Sequence, residues 1–235
     1  LALDSSGLVA SVAVVENDTL LAEYTVNYKK THSQTLLPML DEISNMTELD
    51  LSTIDAIAVA GGPGSFTGLR IGSATAKGLG LALEKPLISI PTTAAIAYNI
   101  WDTDKFVCPI MDARRNQVYT GVYCYTDHRL DTVWEQDTMS IEALAEGLNC
   151  LDHEVIFLGD GVAVYREKLE ALLTIPFSFA PAHVNRQRAA AVGALAEVYY
   201  KEGKIQTAME HIPDYLRVSQ AERERAEREK KEQQS

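Results

Sequence analysis

The 235-residue sequence has few cysteines and no long apolar run, and each shortage excludes a class of protein. Cys108, Cys124 and Cys150 are far apart and odd in number, so neither a disulfide framework nor a cysteine metal site is indicated. No apolar segment is long enough to span a membrane, and no charged and apolar leader opens the chain. We therefore expect reduced, mostly buried thiols in a cytoplasmic protein without a membrane partner.

Basic residues are also scarce, since 33 Asp and Glu against 21 Lys and Arg give a formal net charge of −12. The highly charged stretch 222–232 is nearly balanced, so the acidity belongs to the rest of the chain. Tight binding to a nucleic acid backbone needs clustered positive charge. We therefore expect any link between this chain and a nucleic acid to run through a partner.

The histidines lack the spacing of a helical metal site. They stand at positions 32, 128, 153, 183 and 211, and no two of them are four residues apart. The sequence contains neither a G-x-S-x-G elbow nor a plausible Cys/His pair for a nucleophilic hydrolase. These absences disfavour metal-dependent hydrolysis, including a metalloprotease.

The most informative feature that is present is the run GGPGSFTGLRIG at residues 61–72. An apolar segment at 54–60 precedes it and a stretch rich in small residues follows to about 84, so a strand, a turn and a helix are predicted. Ser65 or Thr67 can cap the helix. The run is not a P-loop, because no Gly-Lys-Ser/Thr follows, and its glycines do not have the dinucleotide-binding spacing.

The pattern of strands and helices predicts an α/β protein with two lobes. Residues 1–102 give the order βββαβαβα, which matches one lobe of the actin/hexokinase/Hsp70 superfamily, a ribonuclease H-like fold. Residues 103–218 are predicted to form a smaller, degenerate second lobe, with a helix near 186–201 that returns toward the first. The charged tail at 219–235 is expected to be a solvated helix or disordered.

Six segments together resemble the TsaB (YeaZ) family over nearly the whole chain. They are LALDSS at 1–6, His32 with LLPM at 36–39, GPGSFTGLRIG at 62–72, AKGL at 76–79, DARR at 112–115 and PDYLR at 213–217. The resemblance implies a non-catalytic pseudo-enzyme subunit that binds and stabilises TsaD. With the ATPase TsaE, that assembly transfers a threonylcarbamoyl group from threonylcarbamoyl-AMP to N6 of adenosine 37 in tRNAs reading ANN codons.

The resemblance also separates this chain from its catalytic relative. TsaD has a similar glycine turn followed by a His-x-x-x-His pair on the next helix, whereas the matching stretch here, 91–98, reads PTTAAIAY. The resemblance implies that the chain contacts tRNA only through the complex and binds no cofactor tightly. It leaves open whether a nucleotide binds at the partner interface. An active small-molecule ATP-dependent kinase of the same fold is the alternative.

The helix predicted at 66–84 carries a small residue at every fourth position from Gly68 to Gly80. This stripe either packs on the chain's own sheet or receives a partner helix. The resemblance favours the partner, because TsaB uses this helix and the one at 33–46 for a homodimer and, alternatively, for a heterodimer with TsaD. The predicted partner surface consists of Leu36, Met39, Leu40, Ile43, Ser65, Phe66, Thr67, Gly68, Arg70, Gly72, Ser73, Ala76, Lys77 and Gly80.

A second set of residues stands where nucleotide-binding members of the superfamily place an acidic group and a phosphate loop. It is either a vestigial nucleotide site in a cleft or a set of ordinary polar strand ends, and adjacent arginines are able to hold a phosphate or a carboxylate. The set consists of Asp4, Ser5, Ser6, Asp112, Arg114 and Arg115.

The missing histidine pair predicts that no catalytic metal is bound tightly. Protein prepared in metal-free buffer should contain far less than one zinc or iron ion per molecule, as measured by elemental analysis. A stoichiometric transition metal that survives treatment with a chelator would contradict this prediction.

Overall fold

The computed structural model describes residues 1–28 and 31–217 and contains two five-stranded sheets. The predicted charged tail at 219–235 and residue 218 of the predicted second lobe lie outside the described residues. The strands of the first sheet are β1 (Ala2–Asp4), β2 (Ala10–Glu16), β3 (Thr19–Val26), β4 (Ile57–Gly62) and β5 (Leu87–Pro91). Its helices are α1 (His32–Thr47), a 3-10 turn at Leu51–Thr53, α2 (Phe66–Leu83) and α3 (Thr92–Ala97).

The second sheet begins after residue 105. Its strands are β6 (Phe106–Asp112), β7 (Gln117–Thr126), β8 (Arg129–Ser140), β9 (Val155–Leu158) and β10 (Phe177–Phe179). The remaining helices are α4 (Ile141–Asn149), α5 (Val162–Leu172) and α6 (Ala189–Lys201). Both sheets have the same strand order relative to the chain. The first sheet runs β3-β2-β1-β4-β5 and the second runs β8-β7-β6-β9-β10, so the two lobes share one topology.

The predicted order βββαβαβα of the first lobe is confirmed. Short turns join β1, β2 and β3, which are antiparallel neighbours. Strand β4 is parallel to β1 and β5 is parallel to β4, and helices connect these strands along the chain. The helix predicted from Thr92 to about Trp101 ends at Ala97, because the next amides turn back to carbonyls three residues earlier, Asn99 to Ile96 and Ile100 to Ala97. The three-residue β10 was not predicted, since so short a run has no readable period.

A buried apolar cluster joins the two lobes. It contains Ala2 and Ile90 of the first sheet together with Val107 and Leu158 of the second. Helices α3 and α6 supply most of its other members, and α6 packs on the strands of the first sheet although it follows the second in the chain. The lobes therefore share a core instead of being connected by a linker alone.

The small-residue stripe of α2 packs on the chain's own first sheet. Gly68, Gly72, Ala76 and Gly80 are all buried, as is Ser73 beside them. A Cβ atom built onto Gly68 would lie 2.1 Å from the carbonyl oxygen of Ser5, and one on Gly72 would lie 2.4 Å from the Ser5 hydroxyl oxygen. The prediction that these five residues meet a partner is wrong, because α2 lies so close to Ser5, just after β1, and to Leu87 of β5 that larger side chains do not fit.

The predicted partner residues of α1 are also internal. Leu36, Met39, Leu40 and Ile43 are buried in the cluster that α1 forms with the first sheet. Their spacing matches one face of a helix, but the spacing alone does not show whether a sheet or a partner helix covers that face. The prediction that these four residues form the partner surface is therefore corrected.

The structure predicts opposite outcomes for two glycines of α2. Gly72→Leu should lower the free energy of unfolding by about 1–3 kcal/mol or more, because the new side chain overpacks the contact with Ser5 and Val59. Gly78→Leu should leave it unchanged or raise it by up to about 1 kcal/mol, because no atom lies within 4 Å and helix propensity improves. Urea denaturation measures both, and equal losses would contradict the assignment of the buried face.

Candidate functional site

A cleft of about 1030 Å³ opens between the lobes. Its first-lobe wall is formed by the turn after β1 and by the start of α2, including Phe66 and Arg70. Its second-lobe wall is formed by the turn between β6 and β7 and by Asp160 after β9. The segment around Tyr215 lines the same cleft from the C-terminal part of the chain. The cleft is thus built from the strand ends at which this topology usually places a ligand.

The turn after β1 uses its polar groups within the chain. The Ser5 hydroxyl donates to the carbonyl oxygen of Gly68 at 2.8 Å, and the Ser65 amide donates to the carbonyl oxygen of Ser6 at 2.7 Å. Ser65 in turn caps α2, because its side chain accepts a hydrogen bond from the Gly68 amide at 3.3 Å. The start of α2 therefore occupies the space through which a phosphate would have to approach Ser5. Of the predicted residues Asp4, Ser5 and Ser6, only Ser6 lines the cleft.

Asp4 is a fully buried carboxyl group beneath this turn. Its Oδ1 accepts hydrogen bonds from the amide and the hydroxyl of Ser6, at 2.8 and 2.7 Å. Its Oδ2 is buried without a hydrogen-bond partner among the described residues. Burial raises the pKa of Asp4 from 3.8 to about 6, and the Ser6 hydrogen bonds and nearby His32 counter only part of that effect. Ionisation of this group therefore costs the folded chain free energy.

The predicted arginine pair lies at the second-lobe rim of the cleft. Arg114, Arg115 and Asn116 all have positive φ angles and form the turn between β6 and β7. Asp112 accepts hydrogen bonds from the Arg114 amide at 2.9 Å and from its guanidinium at 3.0 Å. Asp160 accepts a hydrogen bond from the Asp112 amide at 3.3 Å, and burial raises the pKa of its carboxyl. This rim holds a paired acid and exposed guanidinium groups.

The structure brings together two predicted sets that the sequence left apart. Along the cleft, Ser6 and the partner-surface candidates Ser65, Phe66, Thr67 and Arg70 form one wall, and the cleft candidates Asp112, Arg114 and Arg115 lie on the other. Lys77 is not among them, since its ammonium group donates to the carbonyl oxygen of His211 at 3.0 Å. The cleft therefore combines residues of both lobes in one surface.

Two participants lie outside the predicted site residues. The segment at 213–217, one of the six that carry the family resemblance, forms no strand in the described chain. Tyr215 does pack on Phe66, with ring centroids 4.8 Å apart, but stays 37% exposed. Gln136 of β8 contacts Asp214 at 2.8 Å, and no sequence signal marks a single glutamine in a strand.

Other expectations concern metals, thiols and membranes. Within residues 1–28 and 31–217, no group of three or more His, Cys, Asp or Glu side chains is placed to hold a metal ion. Cys108 is buried and Cys124 is half-buried, but Cys150 is exposed, so the expectation of mostly buried thiols is wrong for Cys150. Across the same residues, we find no helix with both the length and the apolar character needed to cross a bilayer.

The repeated sheet order and the cleft between the lobes define the class: an α/β protein with the two-lobed actin/hexokinase/Hsp70-like fold. The family model described as TsaD, tRNA N6-adenosine threonylcarbamoyltransferase, matches residues 19–225. Two solved structures from Pseudomonas aeruginosa, one described as YeaZ and one as an uncharacterized protein with similarity to peptidase YeaZ, superpose with TM-scores of 0.80. Each is 27% identical in sequence and matches 92% of this chain and 98% of its own.

Sequence relatives agree with the structural neighbours. The tRNA threonylcarbamoyladenosine biosynthesis protein TsaB of Bacillus subtilis is 32% identical, over 94% of this chain and 95% of its own length. The protein of the same name from Haemophilus influenzae is 32% identical, over 92% of each chain. The chain belongs to the TsaB (YeaZ) family.

The buried carboxyl predicts a specific pH dependence of stability. Because the pKa of Asp4 is about 6 in the folded chain and near its ordinary 3.8 when unfolded, the folded chain retains a proton that the unfolded chain releases between these values. Stability is therefore lost as the pH rises from about 4 to 6. Asp4→Asn keeps a hydrogen-bond acceptor for Ser6 and removes that loss, so the variant should be more stable than wild type at pH 7 by up to about 3 kcal/mol.

Urea denaturation of the wild type and Asp4→Asn at several pH values between 4 and 8 measures this difference. The advantage of the variant should shrink toward zero at the acidic end, where Asp4 is protonated in both states. A variant that is less stable than wild type at pH 7 would contradict the account and indicate that the carboxylate has a stabilising partner.

Proposed function

We propose that this chain is the non-catalytic subunit of a tRNA-modifying assembly in the cytoplasm, where it binds and stabilises a TsaD homologue. In this proposal the ATPase TsaE completes the assembly. The assembly transfers a threonylcarbamoyl group from threonylcarbamoyl-AMP to N6 of adenosine 37 in tRNAs reading ANN codons. Membership of the TsaB family supports the pathway, and two features of the structure, together with the net charge of the chain, support the role.

The observation that carries the proposal is the apolar outer face of α1 and α2. Leu37 and Met46 of α1 are 54% and 79% exposed, and Leu81 of α2 is 59% exposed. Gly78 of α2 has no atom within 4 Å of the position of a Cβ, so a partner helix is able to approach its backbone closely. We call these four residues the outer face; Leu37 and Met46, nine residues apart, lie on the two flanks of α1 beside its buried side. Three large apolar side chains left in water on two neighbouring helices support an interaction surface.

This outer face takes the place of the surface predicted from the sequence. The same two helices remain the proposed contact with the TsaD homologue, and with a second copy of the chain when the partner is absent. The proposed contact is now made by the exposed sides of α1 and α2, because the sides predicted from the sequence are packed on the first sheet.

The non-catalytic role is supported by the interior of the site. Residues 92–97, which match the stretch where TsaD has its histidine pair, are all buried in α3 and include no histidine. The Ser5 hydroxyl and the Ser6 carbonyl, which belong to the turn after β1, are bonded to the start of α2. A chain with its phosphate turn occupied in this way is poorly suited to phosphoryl transfer by itself.

Charge supports an indirect contact with tRNA. The chain carries a formal net charge of −12, and a phosphate backbone is repelled by such an excess of acids. We therefore propose that tRNA is bound through the partner.

One observation favours the alternative of a small-molecule ATP-dependent kinase. The cleft of about 1030 Å³ has room for a nucleotide, and Arg70 and Arg115 are exposed at its walls. A kinase would consume ATP without any partner, so ATP turnover by the purified chain with candidate small-molecule acceptors separates the two proposals.

The outer face predicts a clear binding defect. Leu81→Glu or Met46→Glu should weaken binding to the TsaD homologue at least about tenfold, or about 1.4 kcal/mol, because a charge would be buried against the partner. The matched control is Val164→Glu on α5, which is 58% exposed and lies outside the outer face. Titration calorimetry measures affinity, and melting temperatures should be similar for all variants.

Normal affinity in both outer-face variants would contradict the proposed docking surface. Equal loss in Val164→Glu would also contradict it, because the effect would then follow the added charge and not its position.

A further inference from the structure

The segment 211–217, which we call the C-terminal clasp, runs along α2 before it reaches the second lobe. The carbonyl oxygen of His211 accepts a hydrogen bond from Lys77, and the Asp214 amide donates to the carbonyl oxygen of Gly61 at 2.7 Å. Tyr215 packs on Phe66 with their rings inclined by 40°. Three separate contacts therefore hold the clasp on the first lobe.

The same short segment is bonded to the second lobe. The Asp214 carboxylate accepts a hydrogen bond from Gln136 Nε2 of β8 at 2.8 Å. The Arg217 guanidinium donates to the carbonyl oxygen of Ala113, which follows β6. Asp214 is thus bonded to one lobe through its backbone and to the other through its side chain.

Both anchors of Asp214 are shaped to receive it. Gly62 has a φ of 123°, and a Cβ atom built there would lie 2.2 Å from the Asp214 carbonyl oxygen, so this seat on β4 requires glycine. On the other lobe, Gln136 Oε1 accepts a hydrogen bond from Thr93 at 2.9 Å. That bond orients the glutamine amide so that its NH₂ group is directed to Asp214.

We propose that the C-terminal clasp sets the width of the cleft between the lobes. The lobes share a buried core, which limits how far they separate, while the clasp bridges the cleft itself. His211 is buried at the start of the clasp, whereas Asp214 and Tyr215 are exposed, and the clasp adds no strand to either sheet. Segments with few buried contacts open at low free-energy cost, so the part of the clasp that follows His211 releases while both lobes stay folded.

A carboxylate introduced at the anchor tests this proposal in the full chain. Gln136→Glu keeps the acceptor for Thr93 but places a second carboxylate against Asp214, so the clasp should detach. Adding Asp214→Asn restores the pairing with its direction exchanged, because the new asparagine amide donates to the carboxylate introduced at position 136. The double variant should therefore re-form the contact. Gln34→Glu, at an exposed position of α1, adds the same charge away from the clasp and serves as the control.

Two measurements follow the clasp and the cleft separately. Hydrogen exchange of the Asp214 amide reports attachment, since its only described acceptor is Gly61. Spin labels on the exposed Cys150 and on Glu42→Cys report the distance between the lobes, with Cys124→Ser in all variants and Cys108 protected by burial.

The expected result is exchange about fivefold faster or more in Gln136→Glu, together with a broader distance distribution that extends to longer values. Both changes should revert in the double variant and be absent in Gln34→Glu. Faster exchange with an unchanged distance distribution would overturn the proposal, because the lobes would then keep their spacing without the clasp. Unchanged exchange together with an unchanged distance distribution would overturn it as well, because Gln136 would not be an anchor.

Discussion

The close packing of α2 on the end of β1 is the constraint on which the rest of the structure depends. The bond from the Ser5 hydroxyl to the Gly68 carbonyl, at 2.8 Å, fixes how near the helix lies. That distance requires small residues along the inner side of α2 and fills the turn after β1. It also brings Phe66 and Arg70 to the cleft and leaves Leu81 exposed on the outside. This packing thus closes the turn after β1 and leaves the surface proposed for the partner on the outer side of α2.

The lobes are joined at two levels of strength. The apolar cluster around α3 and α6 unites the sheets by burial, which is the dominant stabilising term in folding. The clasp adds a few polar contacts around Asp214 that cross the cleft near the surface. In the two proposals made above, the outer face stays fixed while the cleft adjusts. That combination suits a subunit whose proposed role is to hold a catalytic partner in shape.

Much of the fold was predictable, because apolar periodicity and turn residues mark the element order, and the 62–72 segment identified the family. The buried side of the helices was not predictable. Small residues at every fourth position from Gly68 to Gly80 have the same pattern whether a sheet or a second helix covers them. The same holds for the apolar positions of α1. The contact between Gln136 and Asp214 joins residues 78 positions apart, and nothing local to either residue signals it.

The central claim is that this chain supports a catalytic partner without performing chemistry itself. The most direct measurement is the rate of threonylcarbamoyl transfer to an ANN-reading tRNA, with the TsaD homologue, TsaE and threonylcarbamoyl-AMP supplied and this chain present or absent. The account predicts full activity only with the chain present and none from the chain alone. Transfer by the chain alone, or an undiminished rate without it, would contradict the account.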